Sequence, residues 1–258
     1  MTARVAAVTG ASTGVGRATA IALGALGWTV AIGARRPDAL AETAELVGAA
    51  GGRALAHPLD VTDEQSVDAF FGAIEAEVGP ADTVVNNAGL ARPGAITDIE
   101  PQVHRMIVET NLLGSILVTR RALSSMRARA DAPGDIVFVS SDSTVHLRPG
   151  LATYLATKAG LEAFAATVAL ECEGTGIRSS ILRLGPTLTG FADGWDLDIF
   201  TELMPRWHRF GVQRHFETLD PADVADAVVR IVTAPPHAWV PILELQPNPP
   251  VGRESPTT

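Results

Sequence analysis

Short apolar runs of strand length alternate with segments of helical period along nearly all of a 258-residue chain, and no other feature narrows the possible folds as far. A strand joined to the next through a helix runs parallel to it, and a parallel sheet is covered by helices on both faces. The runs at 4–9, 29–34, 53–59, 83–86, 135–140, 178–184 and 240–245 are read as strands, with helices filling most of the gaps. Punctuation supports this division: Pro37 with Asp38 opens a helix, Gly51 and Gly52 close it, and Asp220-Pro221 supplies an N-cap followed by proline at the first helical position. The expectation is one α/β domain over 1–245 with a doubly wound parallel sheet of about seven strands. Within it, 190–218 is irregular, carrying Trp195, Phe200, Met204, Trp207, Phe210 and Phe216 among charges. Large apolar groups outside the sheet pattern suit a segment that covers a substrate, and a helical pair packed on the core is the other reading. The Pro-rich end, 246–258, is expected to be extended or disordered.

Composition excludes several function classes. A formal charge of −9 argues against a nucleic-acid partner, because such binding rests on Lys and Arg neutralising phosphates. No apolar run approaches the ~18 residues of a membrane span, and the start lacks the apolar stretch of a signal peptide. Cys172 stands alone and has no partner for a disulfide within the chain. A cytoplasmic protein is therefore expected. His57, His104, His146, His208, His215 and His237 show no zinc-type spacing, so no catalytic metal is expected, and His146 is read as a loop residue near a possible pocket.

The chemistry begins at 9–16, Thr-Gly-Ala-Ser-Thr-Gly-Val-Gly, placed between the first strand and the first helix. Glycines let the backbone turn tightly and approach a pyrophosphate, and the free N–H groups of a helix start attract the anion. Further on, the 20 basic residues include a single Lys, Lys158, and the chain has a single Tyr, Tyr154. They stand four apart, the spacing that puts two side chains on one helix face. A phenol of pKa about 10 is a weak proton donor near neutrality. A nearby ammonium favours the phenolate, which is the part expected of Lys158.

The Gly-x-x-x-Gly-x-Gly spacing, with Asp60-Val61, Asn86-Asn87-Ala88-Gly89, Asn111, Ser141, Tyr154-x-x-x-Lys158 and Gly185 with Thr189, resembles the short-chain dehydrogenase/reductase family in its compact one-domain subclass. That resemblance implies a Rossmann-like fold and an oxidoreductase that interconverts a ketone or aldehyde with an alcohol by hydride transfer. It implies a catalytic set of Asn111, Ser141, Tyr154 and Lys158: Tyr154 as general acid/base, Ser141 on the substrate oxygen, Lys158 also on the nicotinamide ribose, and Asn111 holding a water that links Lys158 to solvent. Cofactor contacts would come from Gly10, Ser12, Thr13, Gly14, Val15 and Gly16, from Asp60 and Val61 near the adenine, from Asn87, Ala88 and Gly89 beside the ribose, and from Gly185, Thr187 and Thr189. An acid at the end of the second strand would accept the ribose 2′-hydroxyl of NAD(H), but here Ala34 is followed by Arg35 and Arg36. Guanidinium groups grip a phosphate, so NADP(H) is expected ahead of NAD(H), with Ser12 as a further donor.

Plainer structural readings stand beside these: a simple turn at the glycines, solvated Arg35 and Arg36, a helix-capping Ser141 and a helix-kink Asn111. Ser140 is the alternative to Ser141, and alternation along a strand lets only one of them face a pocket. Two departures from the family pattern limit the transfer. Leu184-Gly185-Pro186 stands where Pro-Gly is usual, and Glu244-Leu245-Gln246-Pro247 replaces a diglycine after the last strand. The expected substrate is small and apolar but larger than a simple sugar, and the resemblance favours a dimer or tetramer built partly on the helix at 151–171. The competing function is a catalytically idle NADP(H) sensor or scaffold on the same fold. A sugar-nucleotide epimerase is disfavoured for want of a substrate domain.

Overall fold

The computed structural model describes residues 4–129, 133–192, 195 and 197–250, so part of the covering segment and residues 251–258 of the Pro-rich tail lie outside the described residues. Seven strands form one sheet: β1 (Val5–Thr9), β2 (Thr29–Ala34), β3 (Arg53–Pro58), β4 (Thr83–Asn86), β5 (Gly134–Ser141), β6 (Ile177–Leu184) and β7 (Ile242–Leu245). Their order is β3-β2-β1-β4-β5-β6-β7, with every pairing parallel. The expected fold class is the observed one, and strand ends differ from the sequence reading by one or two residues.

Side-chain alternation divides the sheet into two apolar faces. Val5, Ala7, Ile136 and Phe138 pack with α3 (Glu64–Val78), α5 (Gly114–Arg127) and α6 (Ala152–Glu171) through Phe70, Phe71, Met126 and Leu161. Ala6, Val8, Val137 and Val139 face the other way, onto α1 (Gly14–Ala25), α2 (Pro37–Ala49) and α8 (Pro221–Val232) through Leu23, Leu40 and Val228. Phe70 and Phe71 are both 1 % exposed, and burial of a side chain of this size stabilises by roughly 1.5–3 kcal/mol. The start of α8 carries a full capping box, in which Asp220 and Asp223 each accept the other end's backbone N–H, with Pro221 in the first turn. α4 (Pro101–Val108) runs into α5 through a π-helical turn, Glu109–Leu113. Among its described residues the segment 190–218 contains a short turn at Gly190–Ala192 and one helix, α7 (Leu197–Arg209), in place of a helical pair.

The chain winds outward through β1, β2 and β3, then crosses back to β4 on the other side of β1, which opens a crevice at the carboxyl ends of β1 and β4. The Thr9 hydroxyl pins that crevice by accepting the N–H groups of Asn87 and Ala88, each at 3.0 Å. Asn87 Nδ2 returns bonds to the Thr9 and Gly10 carbonyls at 2.9 and 3.2 Å. Gly16 sits against this junction: a Cβ there would lie 2.3 Å from the Gly10 carbonyl oxygen and 2.5 Å from Asn87 Nδ2. Gly16→Ala is therefore expected to destabilise the fold by about 1–3 kcal/mol through overpacking, read as a lowered urea midpoint. An unchanged midpoint would show that the loop and β4 are not in obligatory contact.

Candidate active site

The crevice widens into a cleft of about 970 Å³. Every residue expected from the sequence to serve the site lines it except Gly16 and Asn111, which stand behind its wall. At one end lies the start of α1, whose N-cap Thr13 makes no side-chain capping bond, leaving the first-turn N–H groups for an anion. Ala34 closes β2, and Arg35 and Arg36 follow it as exposed side chains on the rim. Arg36 Nη2 is 3.5 Å from the Ser12 hydroxyl, so guanidinium and hydroxyl converge on one spot. Burial pushes the Asp60 carboxyl up, but hydrogen bonds from Thr62 and the charge of Arg35 outweigh it and hold the group below the usual range. Thr189, from the loop after β6, comes across the cleft to Gly14, where an added Cβ would stand 3.2 Å from the threonine Cβ. The Gly185-Pro186 departure leaves this loop in place: Leu219 donates to the Pro186 carbonyl, and Thr187 forms a single bridge with Leu219. An uncapped helix start, a glycine floor and a pair of arginines next to a hydroxyl fit a phosphorylated dinucleotide.

At the other end are the candidate catalytic groups. Tyr154 and Lys158 lie one turn apart on α6 and are buried, at 8 and 4 % exposure. Lys158 Nζ donates to the Val139 carbonyl at 2.7 Å and lies 5.8 Å from the centre of the Tyr154 ring. Of the neighbouring serines, Ser140 turns toward α6 and donates to Glu162 at 2.7 Å, while Ser141 Oγ accepts the Ser143 N–H at 3.2 Å and bears on the Tyr154 phenol by favouring its ionised form. Both serines line the cleft, with their side chains turned to different partners. Asn111 is fully buried in the π-helical turn, where the widened backbone lets its amide clasp the Leu90 backbone at both ends, 2.8 and 2.9 Å, and donate to Thr157 at 3.2 Å.

Burial pushes the Tyr154 phenol up to about 12, with Ser141 pulling against it. Burial likewise brings the Lys158 ammonium down to about 8, with Glu162 one turn on opposing the fall. Taking either group out of water disfavours its charged form.

The far wall is aromatic. Ring centroids step from Tyr154 to Phe191, Trp195, Phe200 and Trp207 at 5.6, 6.1, 6.2 and 5.9 Å. Phe216 also lines the cleft, whereas Phe210 is 54 % exposed on the outside and His146 lies on an exposed loop. Sequence reasoning missed Arg148, which is buried in the wall and bound to Asp142 by two hydrogen bonds. Nothing local marks an arginine in a Leu-Arg-Pro-Gly loop as buried, because its partner is fixed only when the loop closes.

The fold agrees with what the chain is similar to. Residues 4–198 match the short chain dehydrogenase family, and the chain belongs to that family. It is 30% identical to a 3-oxoacyl-[acyl-carrier-protein] reductase of Synechocystis sp., with 93% of each chain covered. It is 32% identical to the glycine betaine reductase ATRR of Emericella nidulans over 96% of its own length, but spans only 19% of that larger protein. Among solved structures, an alcohol dehydrogenase from Thermococcus sibiricus complexed with 5-hydroxy-NADP superposes with a TM-score of 0.79 at 29% identity, over 94% of this chain and 95% of that one. The chain is thus a short-chain dehydrogenase/reductase, a family of oxidoreductases.

Among the described residues no helix is long and apolar enough to cross a membrane. The unusual lysine gives a direct check on the site. Lys158 should be an ammonium below about pH 8 and a neutral amine above it. Because it is the single lysine, a chain labelled with [15N]lysine shows one side-chain signal, expected to titrate near 8. A midpoint at the ordinary 10.5 would mean that the side chain is solvated.

Proposed function

We propose that the protein is an NADP(H)-dependent ketoreductase, or alcohol dehydrogenase, interconverting an apolar ketone and a secondary alcohol. The observation that carries this reading is the buried Tyr154 hydroxyl beside Ser141, with Lys158 beneath, at the end of a cleft that begins on the glycine loop. The bound nicotinamide would supply hydride to the carbonyl carbon or remove it from the alcohol. Ser141 holds the substrate oxygen, and Tyr154 gives it the proton during reduction and takes it back during oxidation. A phenol near 12 is a poor proton donor in isolation and its phenolate a ready acceptor, and an oxidised nicotinamide, if bound, would act with the Lys158 ammonium to favour the ionised form. Lys158 and the Asn87–Gly89 backbone would hold the nicotinamide ribose, the first turn of α1 the pyrophosphate, and Arg36, Arg35 and Ser12 the 2′-phosphate.

The aromatic wall sets the substrate side. Phe191, Trp195, Phe200 and Trp207 suit a flat apolar body larger than a simple sugar. Trp195 Nε1–H is buried with no hydrogen-bond partner among the described residues, so a substrate with a second acceptor away from the reacting carbonyl fits best. Within the 1–245 domain, Phe191, Trp195, Phe200, Met204, Trp207 and Phe216 of the 190–218 segment line this pocket and would face the substrate. A cytoplasmic location and self-association into a dimer or tetramer belong to the same reading.

Tyr154→Phe is expected to lower ketone-dependent NADPH oxidation by at least ~100-fold while leaving NADPH binding intact. Turnover at the parent rate in this variant would end the assignment. Arg36→Ala should weaken NADPH by about tenfold or more and NADH hardly at all, as titration of nucleotide fluorescence would show. Equal losses for both nucleotides would remove the 2′-phosphate from this spot.

A further inference from the structure

The chemistry above leaves unused the most buried ion pair of the cleft. Arg148 and Asp142 are 7 and 3 % exposed. Arg148 Nη1 and Nη2 donate to the two Asp142 carboxylate oxygens at 2.6 and 2.9 Å. Nη1 also donates to the Ser143 hydroxyl at 2.7 Å, and Nη2 reaches the Val212 carbonyl, in the covering segment, at 3.3 Å. Removing two charges from water is costly, and such pairs seldom stabilise a fold more than apolar residues would. The placement of this pair points to a task beyond stability.

Asp142 follows Ser141 in the chain, and Ser141 Oγ is 3.5 Å from its nearer carboxylate oxygen, beyond the ordinary range of an O–H···O bond. A carboxylate free of its partner would draw that hydroxyl proton into a short charge-assisted bond and away from a substrate. Arg148 prevents this by engaging both carboxylate oxygens. The two charges also act in opposite senses on Tyr154: the carboxylate opposes the phenolate and the guanidinium favours it. Other charged groups near the phenol are placed differently. Lys158 and Glu162 lie below it on α6, and Arg92, after β4, donates to its neighbour's carbonyl at 2.9 Å. His104 on α4 is bonded to Thr153 at 2.6 Å behind the wall, and Arg35, Arg36 and Asp60 stand on the rim at the glycine-loop end. The covering segment presents the uncharged rings of Phe191, Trp195 and Trp207.

We propose that Asp142 and Arg148 are a charge-balanced positioning pair: together they keep the Ser141 proton free for the substrate oxygen and cancel each other's field at Tyr154, and Arg148 ties this setting to the covering segment through Val212. The proposal rests on the reading of Tyr154 as the acid/base, but its test does not require turnover. Tyr154 is the single tyrosine, so a chain labelled with [13Cζ]tyrosine gives one NMR line, absent in Tyr154→Phe, that reports the phenol alone.

Asp142→Asn leaves the guanidinium unopposed and should lower the midpoint of that line by about one unit. Arg148→Met leaves the carboxylate unopposed and should raise it, with kcat for ketone reduction down by roughly tenfold or more as Ser141 is diverted. The double variant, neutral at both positions, should return the line close to the parent. Arg148→Lys keeps the charge but not the fork of donors, so it should hold the midpoint while KM rises through loss of the Val212 contact. Shifts of the same sign in both single variants, no shift in either, or a double variant that fails to return would overturn the proposal. If Arg148→Met does not fold, the fall in Asp142→Asn and its reversal in the double variant decide the matter. An inactive parent chain whose variants still show opposed shifts would sink the catalytic reading and leave the balanced pair standing.

Discussion

The contact between the end of β1 and the end of β4 governs the rest of the molecule. One hydroxyl, that of Thr9, takes two backbone N–H groups from the β4 exit, and Asn87 answers with its amide to the first turn of the glycine loop. These bonds hold open the crevice that the reversal of strand order creates. They also set the distance between the helix start, where an anion can sit, and the Ala88-Gly89-Leu90 stretch that leads to the reacting end. Asn111 extends the same scaffold by clasping Leu90 and Thr157, the latter three residues beyond Tyr154 on α6. A chain of side-chain hydrogen bonds thus runs from the glycine-loop end of the cleft to α6.

The electrostatics of the reacting end follow from burial more than from pairwise attraction. Tyr154 and Lys158 are both withdrawn from water, so the phenol resists losing its proton and the amine resists keeping one. Glu162 partly offsets the second effect, and it is itself held by Arg183, Ser140 and Thr144. The site has the character of a dry, prearranged environment in which charge is costly unless something arrives to compensate it.

Much of this could be read in the residues. The alternation of apolar runs and helical segments placed all seven strands, most plainly β1, β2, β4, β5 and β6, where burial on two faces marks the strand composition. The glycine spacing, the Tyr154–Lys158 pair and the arginines after Ala34 located both ends of the cleft, since each is a local pattern with a local cause. What escaped depends on tertiary closure. The spacing of Tyr154 and Lys158 tells that an ammonium is near but not how deeply both groups lie. Arg148 looked like a loop residue because its partner Asp142 meets it only after the β5–α6 connection folds back. The π-helical turn around Asn111 has no periodic signature, being one extra residue in an otherwise regular helix.

The bridge between Thr187 and Leu219 has a consequence for how such a protein diversifies. The two ends of the aromatic segment meet at one isolated bridge outside the seven-stranded sheet, so a change of length between them need not disturb the strands. Lengthening such a segment adds little entropic cost, about 0.6 kcal/mol for each doubling. The chain can therefore exchange the walls of its pocket as a cassette, changing what it accepts while the machinery beneath stays the same.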